Sequence, residues 1–288
     1  MHTGETHASG AQIVVLPDAA ALAVEAARRT MAALAAAIAE RGAAHIALTG
    51  GSTAVPLYVE LAAPEYRGTL DWSRVHLWWG DERFVPVDHP ESNAGLAYRL
   101  LLNLPARAAE SGDGAQGVDV TSGAVRGLPI DPEYVHPVEV EETLSDSEPV
   151  DLAAQLYAED LNRHVPLARH GVPRFDVLLS GLGPDGHIMS IFPGSPALAA
   201  DAPIVLAIQA PDDVDPKLPR VTLSARVLPA AENVLIMVSG EGKADLVARI
   251  LGDESDAARW PAQSALLPNA TWLLDQAAAA QWMKREVT

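Results

Sequence analysis

The residues best suited to chemistry lie in one glycine-rich segment, SGLGPDGHI, at positions 180–188. Its histidine, His187, can take up and release a proton near neutral pH. Asp185 stands two positions earlier, where a carboxylate could orient or stabilise the imidazole. Glycines around both residues permit unusual backbone angles and close ligand approach. The pattern indicates a catalytic loop. Alternatively, the segment is a strand-ending turn whose histidine only fills space.

A second glycine turn follows another apolar run, His45 to Thr49. It reads Gly50-Gly51-Ser52-Thr53, and Pro56 then occupies what we predict to be the first turn of a helix. A helix N-terminus offers free N–H groups and the positive end of the helix dipole, so an anion such as phosphate could bind here. The hydroxyls of Ser52 and Thr53 could add donors, or one could simply cap the helix. The turn has neither the lysine of a P-loop nor the GxGxxG spacing.

Charged residues follow a third apolar run, Val75 to Trp79. Ligands of open α/β sheets bind at the carboxyl ends of the strands, which makes Asp81 and Arg83 candidate site residues. The alternative is a solvated turn. Two further cations, Arg220 and Lys243, stand next to predicted strands and are candidates for binding an anion.

The elements that must position these residues alternate between strand and helix. Apolar runs of strand length are separated by helical patterns, and this order predicts an α/β fold with a largely parallel sheet. A first strand is expected at Ala11 to Leu16, followed by an Ala-rich helix that Asp18 caps and Gly42 ends. Residues 11–288 are therefore interpreted as a single domain, and residues 1–10 as a disordered tail.

Residues from about 104 to 149 break the alternating pattern. This stretch mixes Gly, Pro, Ser and acidic residues, and we predict a flexible acidic insertion on the surface. Alternatively, this acidic segment binds a partner.

Composition excludes several classes of function. The chain has 288 residues, 49% of them hydrophobic, and no cysteine, which excludes disulfides and thiolate chemistry. Its formal net charge of −18 opposes binding to nucleic acid. The sequence shows neither a secretory signal nor a membrane span, so we expect a cytoplasmic protein, monomeric or a small homo-oligomer.

A metal centre is not expected from the histidine spacing. Apart from His187, the chain has eight histidines, and none forms an HxH or HExxH pattern or carboxylate-facial spacing. Ser180 also lacks the GxSxG context of a nucleophilic serine.

Five separated motifs together resemble the 6-phosphogluconolactonase family. They are TGGST at 49–53, WWGDERFVP at 78–86, SGLGPDGHIMSIFPGSP at 180–196, RVTL at 220–223 and SGEGKA at 239–244. Their order and approximate spacing match along nearly the whole chain. The segment at 104–149 departs from the family, being longer and more acidic, so no role is assigned to it.

The resemblance implies an open, mostly parallel Rossmann-like sheet flanked by helices, similar to the NagB and ribose-phosphate-isomerase folds. It implies hydrolysis of 6-phospho-D-glucono-1,5-lactone to 6-phospho-D-gluconate in the oxidative pentose phosphate pathway, without metal or organic cofactor. His187 would then be the general base, with Asp185 or Asp81 orienting the imidazole or the sugar hydroxyls. Residues Gly50 to Thr53, Arg220 and Lys243 would bind the phosphate, while Arg83 joins them or stabilises the oxyanion.

Two alternatives remain open at this point. The family is similar to the glucosamine-6-phosphate deaminases, which resemble this chain in the glycine turn and in the histidine loop. The deaminases have DEY where this chain has Asp81-Glu82-Arg83, and FNEP where it has Ser190-Ile191-Phe192-Pro193, and both departures favour the lactonase. The other alternative is a non-catalytic sugar-phosphate sensor, for which we would expect a fused, basic DNA-binding segment.

Overall fold

The centre of the structure is a seven-stranded sheet. The computed structural model describes residues 3–102, 127–144, 146 and 149–285. Across the sheet the strands are β1 (Thr3–Thr6), β2 (Gln12–Leu16), β10 (Ala270–Asp275), β9 (Val234–Val238), β6 (Val177–Ser180), β3 (Ala44–Leu48) and β4 (Val75–Trp79). Every neighbouring pair is parallel except β1 and β2. The predicted open, mostly parallel α/β fold is confirmed.

Helices cover both faces of this sheet. They are α1 (Ala19–Arg41), α2 (Ala54–Leu61), α3 (Pro64–Arg67), α4 (Asn93–Ala97), α5 (Pro149–His164), α6 (Ala244–Ile250) and α7 (Gln276–Arg285). One core cluster includes apolar residues of α1, α2 and α4, and the other includes residues of α5, α6 and α7. Strands buried on both faces explain the nearly continuous apolar runs in the sequence.

Local signals set the limits of α1 as predicted. The side chain of Asp18 accepts a hydrogen bond from the Ala21 N–H at 2.8 Å, which satisfies one of the free donors of the first turn. Gly42 ends the helix at a φ of 82°, in the left-handed region that glycine adopts easily. Within the described part of the chain, every helix is too short or too polar to span a lipid bilayer.

A small second sheet lies beyond the carboxyl end of β4. It consists of β5 (Asp81–Arg83), β8 (Pro219–Leu223) and β7 (Val205–Gln209), all antiparallel. Because β5 begins two residues after β4 ends, this sheet brings β8 to the same end of the large sheet as the loop after β4.

The two ends of the chain differ from the sequence-based expectation. The described part of the tail predicted to be disordered contains β1, which pairs with β2 and so covers a strand edge that would otherwise lack hydrogen-bond partners. At the other end, β10 and α7 were not predicted, although β10 lies between β2 and β9 and is entirely buried.

Most of the segment predicted to be flexible, about 104–149, lies outside the described residues, and its flexibility stays a prediction. The described residues 127–144 pack against the rest of the domain. Leu128 is 5% exposed, and Val138 and Val140 belong to the core cluster that contains α5. The backbone N–H of His136 donates to the carbonyl of Leu77 on β4 at 2.9 Å.

Stability should fall with acid because His45 is buried in its neutral form. Burial lowers the pKa of His45 from 6.5 to about 3, and the neighbouring His76, His136, His164 and Arg41 add to this effect. As pH falls below 6.5, the unfolded chain takes up a proton that the folded chain refuses, so stability is lost progressively down to about pH 3. We expect a loss on the order of a few kcal/mol from this group.

Urea unfolding of the wild type and of His45→Gln at several pH values tests this expectation. The free energy of unfolding should depend less on pH in the variant. Glu82 acts in the opposite sense, because burial raises its pKa from 4.5 to about 7. Glu82 is present in the wild type and in the variant, so its contribution cancels when the pH dependences of the two proteins are compared. If the free energy of unfolding depended equally on pH in the two proteins, the lowered pKa assigned to His45 would be contradicted.

Candidate active site

Three loops that follow neighbouring parallel strands meet at one end of the large sheet. Residues 49–53 follow β3, residues 80–83 follow β4 and residues 181–187 follow β6. Parallel strands point their carboxyl ends to the same edge, which is where ligands bind in open α/β sheets. The loops enclose a cavity of about 360 Å³. Of the residues predicted from the sequence, its lining includes Gly50, Gly51, Ser52, Thr53, Asp81, Arg83, His187 and Arg220.

Asp185 fixes the orientation of the His187 imidazole. Nδ1 of the ring lies 2.5 Å from Asp185 Oδ1, and the backbone N–H of His187 donates to the same oxygen at 3.2 Å. Burial raises the pKa of Asp185, but the hydrogen bond and charge of His187 outweigh it and hold that pKa below its ordinary value. The carboxylate therefore accepts from Nδ1–H, which leaves Nε2 as the ring nitrogen that can exchange a proton with a ligand, as a general base requires.

Gly183 gives this imidazole its space. A Cβ at position 183 would lie 2.2 Å from both Nδ1 and Cε1 of His187, closer than packed atoms can approach. The Gly183 N–H also donates to the His187 carbonyl at 2.8 Å. The edge of the ring is held against Phe192, with the centroids 4.8 Å apart. This glycine of the loop is therefore explained by packing against the histidine.

Two arginines lie opposite each other in the wall of the cavity. Arg83 on β5 pairs in register with Arg220 on β8. Arg83 Nη1 donates to the Glu91 carbonyl at 2.7 Å, and Arg220 Nη2 donates to the Pro216 carbonyl at 3.0 Å. The Nε of each is buried and has no hydrogen-bond partner among the described residues.

This pair places two like charges side by side in the cavity wall, although Glu91 lies 3.3 Å from Arg83 and offsets part of the charge. Arg220 is only 2% exposed. Burial lowers its pKa, the negative charge of Asp81 opposes this, and repulsion from Arg83 adds to it. Like charges opposite each other on neighbouring strands are destabilising, and buried donors without partners are costly. An anion bound between the guanidinium groups would relieve both.

Asp81 lines the cavity but is not the partner of the imidazole. Its Oδ2 accepts a hydrogen bond from the hydroxyl of Ser190 at 2.6 Å. Of the two carboxylates considered from the sequence, Asp185 is the one that bonds to His187.

Asn93 lines the site and Glu82 supports it, and neither was singled out from the sequence. Asn93 lines the cavity, and its Nδ2 donates to the Asp81 carbonyl at 2.9 Å. Glu82 is fully buried and accepts the backbone N–H groups of Arg83, Asn93 and Ala94 at 2.7, 2.8 and 2.7 Å. It therefore anchors the N-terminus of α4 to β5. No local pattern indicates the contact with α4, because Asn93 and Ala94 lie 11 and 12 residues after Glu82.

Lys243 does not line the cavity. It directly precedes α6 and is only partly exposed. Burial lowers its pKa, and the negative charge of Asp185 opposes this effect. Its charge thus acts on the carboxylate behind His187. The phosphate-binding role predicted for Lys243 therefore has less support than that of Arg220.

The contact between Gly50 and Asn93 should be intolerant of a side chain. A Cβ at position 50 would lie 1.7 Å from Asn93 Oδ1, so Gly50→Ala must displace this amide and loosen its bond to Asp81. We expect a destabilisation of about 1–3 kcal/mol and a lower kcat/KM. Thermal unfolding and kinetics would measure both. Gly68→Ala is the control, because a Cβ there meets nothing within 4 Å. Equal behaviour of the two variants would contradict the tight contact.

Comparison with known proteins identifies the family. The sequence profile described as "Glucosamine-6-phosphate isomerases/6-phosphogluconolactonase" matches residues 17–274. The chain belongs to this family. It is 38% identical over 277 residues to a 6-phosphogluconolactonase of Mycobacterium tuberculosis, covering 93% of this chain and 97% of that protein. It is 35% identical over 273 residues to one of Streptomyces coelicolor, covering 94% of each.

Solved structures of the glucosamine-6-phosphate isomerase/6-phosphogluconolactonase family have the same fold. The 6-phosphogluconolactonase of Trypanosoma brucei superimposes with a TM-score of 0.76 at 28% identity, covering 93% of this chain and 97% of the other. A monomeric glucosamine-6-phosphate deaminase of the NagB superfamily superimposes with a TM-score of 0.70 at 17% identity, covering 93% and 99%. The second likeness concerns the fold alone.

Proposed function

We propose that this protein is a 6-phosphogluconolactonase, which hydrolyses 6-phospho-D-glucono-1,5-lactone to 6-phospho-D-gluconate in the oxidative pentose phosphate pathway. The relatives named above carry this activity in their names. The observation that carries the proposal is a pair of arginines whose Nε groups have no partner among the described residues, in the same cavity that His187 lines. A phosphorylated substrate with a group open to hydrolysis needs both features.

The phosphate binds to Arg83 and Arg220 and to the turn before α2. Arginine presents planar donors that suit phosphate oxygens. The two Nε groups, which have no partner in the described part of the chain, supply donors already held in place by the paired strands. Residues Gly50 to Thr53 lead into α2, whose first N–H groups have no partner within the helix. Arg83 is therefore assigned to the phosphate and not to the oxyanion.

His187 supplies the proton transfers of the hydrolysis. Nε2 removes a proton from water as its oxygen forms a bond to the lactone carbonyl carbon, C1. The tetrahedral intermediate then collapses, the bond between C1 and the ring oxygen breaks, and His187 returns the proton to that oxygen. Asp185 stabilises the imidazolium between these two steps through its hydrogen bond to Nδ1–H. Asp81 and Asn93 contact the sugar hydroxyls.

These steps use only water and side chains of the chain. The reaction needs no nucleic acid or membrane partner, and we place it in the cytoplasm. General-base assistance contributes about a hundredfold to ten-thousandfold to a rate, which suits an activated ester such as a lactone.

A comparison of two substrates tests the proposed function. The purified protein is offered 6-phosphogluconolactone, generated in place from glucose 6-phosphate, and separately glucosamine 6-phosphate. We expect lactone hydrolysis well above the spontaneous rate and no release of ammonia. Ammonia release would favour the deaminase alternative. A folded protein that binds 6-phosphogluconate but hydrolyses no lactone would favour the sensor alternative.

A further inference from the structure

Four histidines gather at the end of the sheet opposite the cavity. His45 and His76 are the second residues of β3 and β4, lie opposite each other in register and stack with their centroids 4.5 Å apart. His136 lies in the described segment 127–144, and His164 is the last residue of α5. The cavity forms at the carboxyl ends of these strands, so the histidine cluster is separate from it.

Two of these histidines converge on one carboxylate. His136 Nδ1 lies 2.9 Å from Asp160 Oδ2, and His164 Nδ1 lies 2.9 Å from Asp160 Oδ1. One ligand atom from each of the three residues lies within 4.8 Å of the others. Two imidazole nitrogens and a carboxylate oxygen form a ligand set of the kind that binds zinc.

We infer that His136, Asp160 and His164 bind a divalent transition-metal ion of the zinc class. With bonds of about 2.0–2.2 Å, tetrahedral ligands lie roughly 3.4 Å apart. The three ligand atoms lie within 4.8 Å of one another, so small side-chain shifts bring them to this spacing. Asp160 and His164 are spaced i, i+4 on the last turn of α5 and therefore face the same side.

The surroundings of His136 suit a metal ligand. Its Nε2 lies 3.1 Å from Nδ1 of His76, so when Nδ1 of His136 binds the metal, Nε2–H can donate to His76. Metal-binding histidines almost always donate their second N–H to an acceptor, usually a carboxylate, a backbone carbonyl or water, and this fixes the tautomer and the ring orientation. His76 takes the place of that acceptor here. The ring of His136 stacks on Trp78 with the centroids 3.8 Å apart and an interplanar angle of 3°, and this contact fixes the plane of the imidazole.

Access and charge also favour a cation at this place. The side chain of His136 is 6% exposed, whereas those of Asp160 and His164 are 28% and 37% exposed. A metal ion can therefore enter from solvent and keep water as its remaining ligand. The carboxylate of Glu139 interacts electrostatically with Asp160. Glu141 and Glu142 closely follow Glu139 in the sequence. Arg163 is 4.0 Å from Asp160 and largely exposed, so it can move away.

The metal ion would clamp segment 127–144 to α5. His136 and Asp160 are 24 residues apart, and between them the chain contributes Val138 and Val140 to the core. Binding only to the folded chain stabilises it in proportion to the metal concentration. The site is therefore structural, and lactone hydrolysis does not depend on it.

Equilibrium dialysis of the full-length, chelator-treated protein against zinc chloride at neutral pH tests this inference. We expect one zinc ion per wild-type chain, bound with an affinity that falls by at least about 100-fold in His164→Ala, which removes a ligand. His76→Phe keeps a ring at this position but removes the acceptor, and should weaken binding by about 10- to 100-fold. Zinc should raise the melting temperature of the wild type but not of His164→Ala.

Two control variants separate this site from others. His170→Asn changes a histidine outside the group, and His187→Ala changes the one in the cavity. Both should bind zinc as the wild type does. The inference is overturned if the wild type binds no zinc, if His164→Ala binds it equally well, or if His187→Ala alone loses it. Circular dichroism of His164→Ala checks the fold, which the partial exposure of this side chain should preserve.

Discussion

His187→Ala should lower kcat for 6-phosphogluconolactone by about a hundredfold to ten-thousandfold. The variant loses the group that removes a proton from water and returns it to the ring oxygen. Product binding should change little, because the phosphate contacts are on Arg83 and Arg220. Stability should also be nearly unchanged, since this side chain borders the cavity. The measurement is lactone hydrolysis in a coupled assay, corrected for the spontaneous reaction, together with calorimetric binding of 6-phosphogluconate.

Asp185→Asn is the companion variant for this prediction. Asp185 does not line the cavity and acts through its hydrogen bond to Nδ1 of His187. We expect a lower kcat than in the wild type, a smaller loss than in His187→Ala, and an unchanged KM. Double replacement should cost hardly more than His187→Ala alone, because the two residues act as a unit. Turnover of His187→Ala at the wild-type rate would remove this residue from the mechanism.

Arg220→Met should raise KM for the phosphorylated lactone by about 10- to 150-fold. This range corresponds to the roughly 1.5–3 kcal/mol that a hydrogen bond to a charged group contributes. The reason is that Arg220 is buried in the cavity wall and its Nε has no hydrogen-bond partner within the described ranges of the chain. Hydrolysis of unphosphorylated gluconolactone should be almost unaffected. Kinetics on both lactones, with melting temperatures to check folding, would measure the difference.

Lys243→Met is the matched control, since it removes a cation that does not line the cavity. Its KM for the phosphorylated lactone should rise much less than that of Arg220→Met. Equal losses in the two variants would mean that Lys243 reaches the phosphate as the sequence motif suggested. Equal losses on both lactones in Arg220→Met would refute the assignment of the phosphate to this residue.

Local sequence patterns determined the order of strands and helices in this protein and the loops that follow the strands. The strand and helix of the first unit were predicted because Asp18 and Gly42 act on their own turns, and neither depends on distant contacts. The loops after β3, β4 and β6 were predicted as a site for the same reason, since glycine and charged residues at a strand end are visible in the chain. The pairing of His187 with Asp185 spans only two positions and was also considered from the sequence.

Only the tertiary structure decided which distant side chains meet. Arg83 lies opposite Arg220 because β5 pairs with β8 in one register, and a shift by one residue would turn one of them away. The same dependence on packing excludes Lys243 from the cavity lining, brings Glu82 to α4 and gathers His136, Asp160 and His164. Conformational preferences act over a few residues and can be inferred from the sequence, whereas contacts between distant segments are fixed only when the sheet and its helices pack together.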